Sequence, residues 1–120
     1  MANILAIDDE EGILELIKAA LLKEGHQVTT VSNFSTFHVE QCSHYDLILL
    51  DVMMPDIDGF TLCRNIRDLV DCPILFLTAK TMEEDIIKGL GMGGDDYITK
   101  PFGLGELRSR VAAHLRKIGR

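Results

Sequence analysis

Apolar and polar positions alternate along this chain in two rhythms. Five short runs carry apolar residues without helical spacing, at Asn3–Ile7, Gln27–Val31, 46–50, 73–78 and Asp96–Thr99, and predict strands. Between them the apolar positions recur every three or four residues. Ile13, Leu14, Ile17 and Leu21 share one helix face, with Glu11, Glu15 and Lys18 elsewhere. Leu62, Cys63 and Ile66 repeat the pattern, as do Ile86, Ile87 and Leu90. The last segment is the clearest, running through Leu104, Leu107, Val111, Leu115 and Ile118. A second helix is expected over 33–41, where the periodicity is weakest. Gly25 is placed to end the first helix, and Thr81-x-x-Glu84 reads as a capping box for the fourth.

Strict alternation of strand and helix implies a parallel sheet with helices on both faces. The runs at 4–7, 47–50 and 74–77 are apolar throughout, as strands covered on both sides must be. Val28-Thr29-Thr30-Val31 and Tyr97-Ile98-Thr99 are more polar and belong at the edges. The order that follows is 2-1-3-4-5, a doubly wound, flavodoxin-like (βα)5 sheet of the α/β class. Such sheets bind ligands beyond the carboxyl ends of their strands, at the switch point between strands 1 and 3.

Those ends carry the chemistry. Strand 1 runs into Asp8-Asp9-Glu10-Glu11, strand 3 into Asp51, strand 4 into Thr78 and strand 5 into Lys100-Pro101. Carboxylates from adjacent central strands raise one another's pKa and call for a cation. An oxygen-only donor set with room for water suits Mg²⁺ or Mn²⁺ rather than zinc. Lys100 is a point charge able to hold a phosphoryl oxygen or a carboxylate, and Thr78 offers a hydroxyl. Taken singly, Asp8-Asp9 reads better as a helix cap, Thr78 as a strand-end hydroxyl and Lys100 as a solvated side chain, and Asp51 reads equally well as a turn residue. Their coincidence at four of five strand ends favours a site.

Composition narrows the partners. The chain has 120 residues, 47% hydrophobic and 26% charged, which suits one globular domain over 1–120. A net charge of −7 argues against this chain itself gripping nucleic-acid phosphates. No apolar run exceeds four residues, so no membrane span is expected. Cys42, Cys63 and Cys72 lack C-x-x-C spacing, so neither a disulfide framework nor a zinc site is expected, and a reducing cytoplasm is.

Asp8-Asp9, Asp51 within L-L-D-V-M-M-P-D-I-D-G, Thr78-Ala79 and D-D-Y-I-T-K-P-F at 95–102 together resemble the receiver domain of bacterial two-component response regulators. The tail E-L-x-x-R-V-x-x-x-L-R is similar to the OmpR/PhoB-like subfamily, whose receivers precede a winged-helix DNA-binding domain. The resemblance implies that Asp51 accepts a phosphoryl group from a sensor histidine kinase, in a phosphorelay that catalyses only its own phosphorylation and dephosphorylation. It implies Mg²⁺ held by Asp9, Asp51 and the carbonyl of Met53, with Asp8 acting through water. Lys100 then binds the phosphoryl oxygens, Thr78 and Tyr97 form the switch, and the Lys100-Pro101 bond is cis. A weak phosphorylation-dependent homodimer is implied through the fourth helical segment, fifth strand and fifth helical segment. Its candidate contacts are Asp95 and Asp96 against Arg110, with Lys88 and Glu106 as further charged positions. DNA would be reached only through a C-terminal domain that this sequence does not include.

Three features depart from the family pattern. Ile86 stands where that subfamily carries a cation, Gly91 and Gly94 are expected to loosen the end of the fourth helix, and Gly103-Leu104-Gly105 opens the fifth helix without a side-chain cap. Met53 and Lys80 flank the line of an attacking water without an amide or acid, so slow loss of the phosphoryl group is expected. Two rival readings are an Asp-nucleophile phosphatase and a flavodoxin-like cofactor module. The first needs an acid two residues after Asp51, where Met53 stands. The second needs backbone donors after strand 1, where four acids stand.

Overall fold

The computed structural model describes residues 2–33, 38–55, 57–79 and 83–119. Its elements in chain order are β1 (Asn3–Ile7), α1 (Glu11–Leu22), β2 (Gln27–Val31), a 3-10 helix (Val39–His44), β3 (Leu47–Asp51), α2 (Gly59–Arg67), β4 (Ile74–Thr78), α3 (Glu83–Gly91), β5 (Asp96–Thr99) and α4 (Leu104–Gly119). The five strands are all parallel, in the order β2-β1-β3-β4-β5. The two polar strands take the edges, as their composition requires.

Alternate residues of the central strands feed two cores, because successive side chains of a strand point to opposite faces. On one face Ile4, Ala6, Leu49, Leu75 and Leu77 pack with Leu14, Ile17 and Leu21 of α1 and with Leu107 and Val111 of α4. On the other, Leu5, Ile7, Ile48, Leu50, Ile74 and Phe76 pack with Phe60, Leu62, Cys63 and Ile66 of α2. This double burial aligns the carboxyl ends of β1, β3, β4 and β5 along one edge of the sheet.

The differences from the sequence reading have local causes. β3 starts one residue later than expected, at Leu47; Asp46 just before it donates its N–H to the Asn3 carbonyl at 2.7 Å, while its carboxylate accepts the Asn3 N–H at 2.8 Å. β4 starts after Pro73, which has no N–H for the ladder. The helix expected over 33–41 is not found at its carboxyl end. A 3-10 helix over Val39–His44 stands there, with Cys42 buried, because the segment has too few apolar positions at helical spacing to form an amphipathic face. Thr81 of the expected capping box, and Lys80, lie outside the described residues.

Gly25 does end α1. Its φ of +86° lets its N–H reach the Leu22 carbonyl at 3.0 Å while the His26 N–H reaches Leu21 at 3.2 Å. Gly94 departs from expectation: α3 ends at Gly91, and Gly94 lies beyond it, pressed against the Phe76 ring so closely that a Cβ would overlap it. Gly89 is buried in α3, where a Cβ would sit 2.6 Å from Phe60. These glycines let α3 approach the aromatic pair beneath it. Gly91, by contrast with Gly89 and Gly94, has open space around it.

Candidate functional site

The turn after β1 fixes the first acids. Asp8 donates its N–H to the Val31 carbonyl at 3.1 Å, and its Oδ1 accepts the Glu10 N–H at 2.9 Å just before α1 begins. Asp51 ends β3, and the chain returns over it through a bridge between Met53 and Asp58. A side chain at position 59 would strike the Asp51 carbonyl, so glycine is required for this return. The Asp58 side chain then accepts the Phe60 N–H at 3.1 Å and starts α2. Opposite, the Lys100 N–H donates to the Thr78 carbonyl at 2.8 Å, and the Lys100–Pro101 bond is cis, as expected.

Lys100 Nζ lies 2.7 Å from Asp8 Oδ2, 3.3 Å from Asp51 Oδ1 and 3.4 Å from Glu10 Oε1. Asp8, Asp51 and Thr78 are buried, whereas Asp9 is exposed. Oxygens of Asp8, Asp9 and Asp51 lie within 4.8 Å of one another. Three carboxylates against one ammonium leave negative charge uncompensated, and an all-oxygen donor set open on the Asp9 side fits a hard divalent cation. Burial, then the Asp8 charge, push the Asp51 carboxyl up to about 7, against the pull of Lys100. Burial alone would lower the Lys100 ammonium, but its hydrogen bond to Asp8 and the charges of Asp51 and Asp8 raise it.

Thr78 and Tyr97 meet behind this cluster. Burial and the charge of Asp85 raise the Tyr97 phenol, while a hydrogen bond with the Thr78 side chain opposes them. The Tyr97 ring lies 6.1 Å from that of Phe76, which meets Phe60 edge-on at 5.1 Å. The Met53 side chain is exposed in the loop beside Asp51.

The remaining candidates are engaged within the chain. Arg110 contacts both oxygens of Asp96 at 3.1 Å and Glu106 at 3.1 Å, and His114 joins Asp96 at 3.0 Å. Within the chain Asp95 pairs with Arg67 at 3.0 Å. Lys88 Nζ lies 5.6 Å from the centre of the Phe60 ring. Sequence reasoning passed over Glu10, Arg67 and His114. Glu10 could have been found from its place directly after Asp8-Asp9; nothing in the local sequence marks the other two, whose partners lie far along the chain.

Residues 4–112 match the family described as "Response regulator receiver domain". The chain belongs to the response regulator receiver family. It is 63% identical over 117 residues to the transcriptional regulatory protein SpaR of Bacillus subtilis, covering 98% of this chain and 53% of that protein. It is 47% identical over 116 residues to the nisin biosynthesis regulatory protein NisR of Lactococcus lactis subsp. lactis, covering 96% and 51%. The chain thus spans about half the length of these curated relatives. Among solved structures, the response regulator DrrB, described as a Thermotoga maritima OmpR/PhoB homologue, aligns with a TM-score of 0.87 at 31% identity, covering 98% of this chain and 54% of that one. Its receiver has also been solved as the BeF3-activated form. The receiver family and its OmpR/PhoB-like branch, inferred above from five motifs, are therefore established, as is the two-component regulatory setting. Among the described residues no helix is long and apolar enough to cross a membrane.

Proposed function

We propose that this receiver takes a phosphoryl group from the phosphohistidine of a sensor histidine kinase onto Asp51. A carboxylate oxygen of Asp51 attacks phosphorus, the P–N bond breaks, and the imidazole leaves with the electron pair, giving an aspartyl phosphate. The observation that carries this reading is Lys100: its ammonium lies within reach of both Asp8 and Asp51, the two buried acids at the central strand ends. There it can hold an equatorial phosphoryl oxygen as negative charge spreads in the transition state. Asp9, Asp51 and the Met53 carbonyl are proposed to hold Mg²⁺ (or Mn²⁺), with Asp8 acting through water. When bound, the cation supplies charge neutralisation of the carboxylates and phosphoryl oxygens. Burial keeps Asp51 from competing solvent, and its raised pKa makes compensation by Lys100 and a cation necessary for a nucleophilic carboxylate.

The switch proposed to follow is a change of partner by Thr78, whose hydroxyl leaves Tyr97 for a phosphoryl oxygen. That bond couples the site to β5 and, across the sheet edge, to the α3–β5–α4 face. Ile13, Leu16, Phe102 and Leu104 form an apolar groove ending at Glu10 and Lys100, which suits a protein phosphodonor. By likeness to the transcriptional regulators it matches, which are about twice as long, the output proposed is control of transcription in the cytoplasm through a DNA-binding domain. The domain turns over no separate substrate; Met53, where a phosphatase would need its acid, supports that reading.

The test is incubation with acetyl phosphate and Mg²⁺ followed by intact mass spectrometry. A stable adduct of about 80 Da is expected. Rapid release of inorganic phosphate without an adduct would indicate a phosphatase, and no reaction would overturn phosphoacceptance.

A further inference from the structure

Lys100 has one charge and three carboxylates around it: Asp8 at 2.7 Å, Asp51 at 3.3 Å and Glu10 at 3.4 Å. Two of the three have a competing claim on them. Asp8 and Asp51 belong to the cluster of cation donors, whereas Glu10 does not. A divalent cation held by Asp51, and by Asp8 through water, would compete with the ammonium for the negative charge of both carboxylates, and its own charge would repel Lys100. Glu10 is the one partner left unaffected. We infer that Glu10 is a positioning residue that holds Lys100 when Asp8 and Asp51 serve the cation, and that an incoming phosphoryl oxygen must displace it. The inference rests on the reading of Asp51 as phosphoacceptor.

The backbone sets Glu10 up for this. Its N–H is tied to Asp8 Oδ1 at 2.9 Å, and its carbonyl accepts the N–H groups of Ile13 and Leu14 at 3.1 and 3.2 Å. The same short turn therefore carries the acid that Lys100 grips most closely and the acid that can take it over. The Glu10 side chain is 62% exposed against 14% for Lys100, so Glu10 reaches in from solvent. Both line the groove open to an approaching donor. An ion pair with one exposed partner is weak enough to exchange, shifting an equilibrium by about 1.5- to 5-fold. Glu10 thus keeps the lysine at the mouth of the site at little cost to capture.

A negative charge near an anion site also weakens capture by simple repulsion, and the two effects are separable. Aspartate at position 10 keeps the charge but withdraws it by one methylene, about 1.5 Å, from an ammonium already at the edge of contact. Uptake from acetyl phosphate is measured at saturating Mg²⁺ for wild type, Glu10→Gln, Glu10→Asp and, as a neighbouring charge control, Glu11→Gln. Both Glu10 variants are expected to lower the KM for acetyl phosphate by about 1.5- to 5-fold with an unchanged maximal rate, and Glu11→Gln to leave both unchanged. An effect in Glu10→Gln with Glu10→Asp matching wild type reduces Glu10 to through-space repulsion and overturns the inference, as does no effect in either. The Lys100 ammonium is followed independently by nitrogen NMR with Mg²⁺ and no donor. Its signal is expected to shift in Glu10→Gln relative to wild type, and an identical signal also overturns the inference. Failure of the wild type to take up any phosphoryl group removes the proposed function, while the ammonium spectrum still decides whether Glu10 holds Lys100.

Discussion

Asp51 is buried among charges of both signs, and its protonation is linked to stability. Its folded-state pKa of about 7 lies above the ordinary 3.8, so the folded chain binds this proton more tightly than the unfolded chain does. The stabilisation from that proton is complete below about pH 4 and is lost as pH rises through 7. Asp51→Asn, which keeps the shape without the charge, is therefore expected to melt several degrees above wild type at pH 8 without metal. The gap should close towards pH 4; calorimetry across that range checks it, and a constant gap would contradict the assignment. Asp9→Ala probes the cation instead. It should raise the metal-free melting temperature by relieving repulsion and abolish most of the Mg²⁺-dependent rise seen in wild type. A wild type whose melting temperature ignores Mg²⁺ would show that the three acids are not a metal site.

At the scale of elements, the glycines around α3 give opposite expectations for one chemical change. Gly89→Ala and Gly94→Ala drive a methyl group into Phe60 or Phe76 and should cost about 1–3 kcal/mol. Gly91→Ala meets nothing and should be neutral or stabilising by up to about 1 kcal/mol. Chemical denaturation measures all three, and equal losses would mean that the packing under α3 is not as described. The contrast also shows what could be read from sequence. Strand order was legible because burial on both faces leaves Leu47–Leu50 and Ile74–Leu77 wholly apolar, while the edges tolerate Thr29, Thr30 and Thr99. The site was legible because its residues sit where strands stop. Gly94 was misread as a helix weakener, since its reason is a ring contributed by β4. The 3-10 segment was misread because few apolar positions mark it. Arg67 was missed because its partners are carbonyls of Gly93, Val70 and Cys72 and the Asp95 carboxylate, which no local pattern reveals.

For the whole molecule, the face proposed for output, α3–β5–α4, carries charges that are already paired within the chain. Arg110 holds Asp96 and Glu106 of its own chain, so a dimer using these residues must exchange contacts rather than add them. Ile87 and Leu90, both exposed on α3, supply apolar area instead of the missing cation at Ile86. The expected behaviour in sedimentation velocity is a monomer at rest and a weak dimer with beryllofluoride, further weakened by Arg110→Ala. A beryllofluoride-bound chain that stays monomeric at high micromolar concentration would place the output elsewhere. All of this presupposes that the converging strands make Asp51 the nucleophile. The most direct measurement is borohydride trapping after acetyl phosphate treatment with Mg²⁺, since hydride reduces an aspartyl phosphate to homoserine. Tandem mass spectrometry should locate homoserine at position 51 in wild type and nowhere in Asp51→Asn. Homoserine at position 8 or 9, or undiminished phosphoryl uptake by Asp51→Asn, would contradict the account.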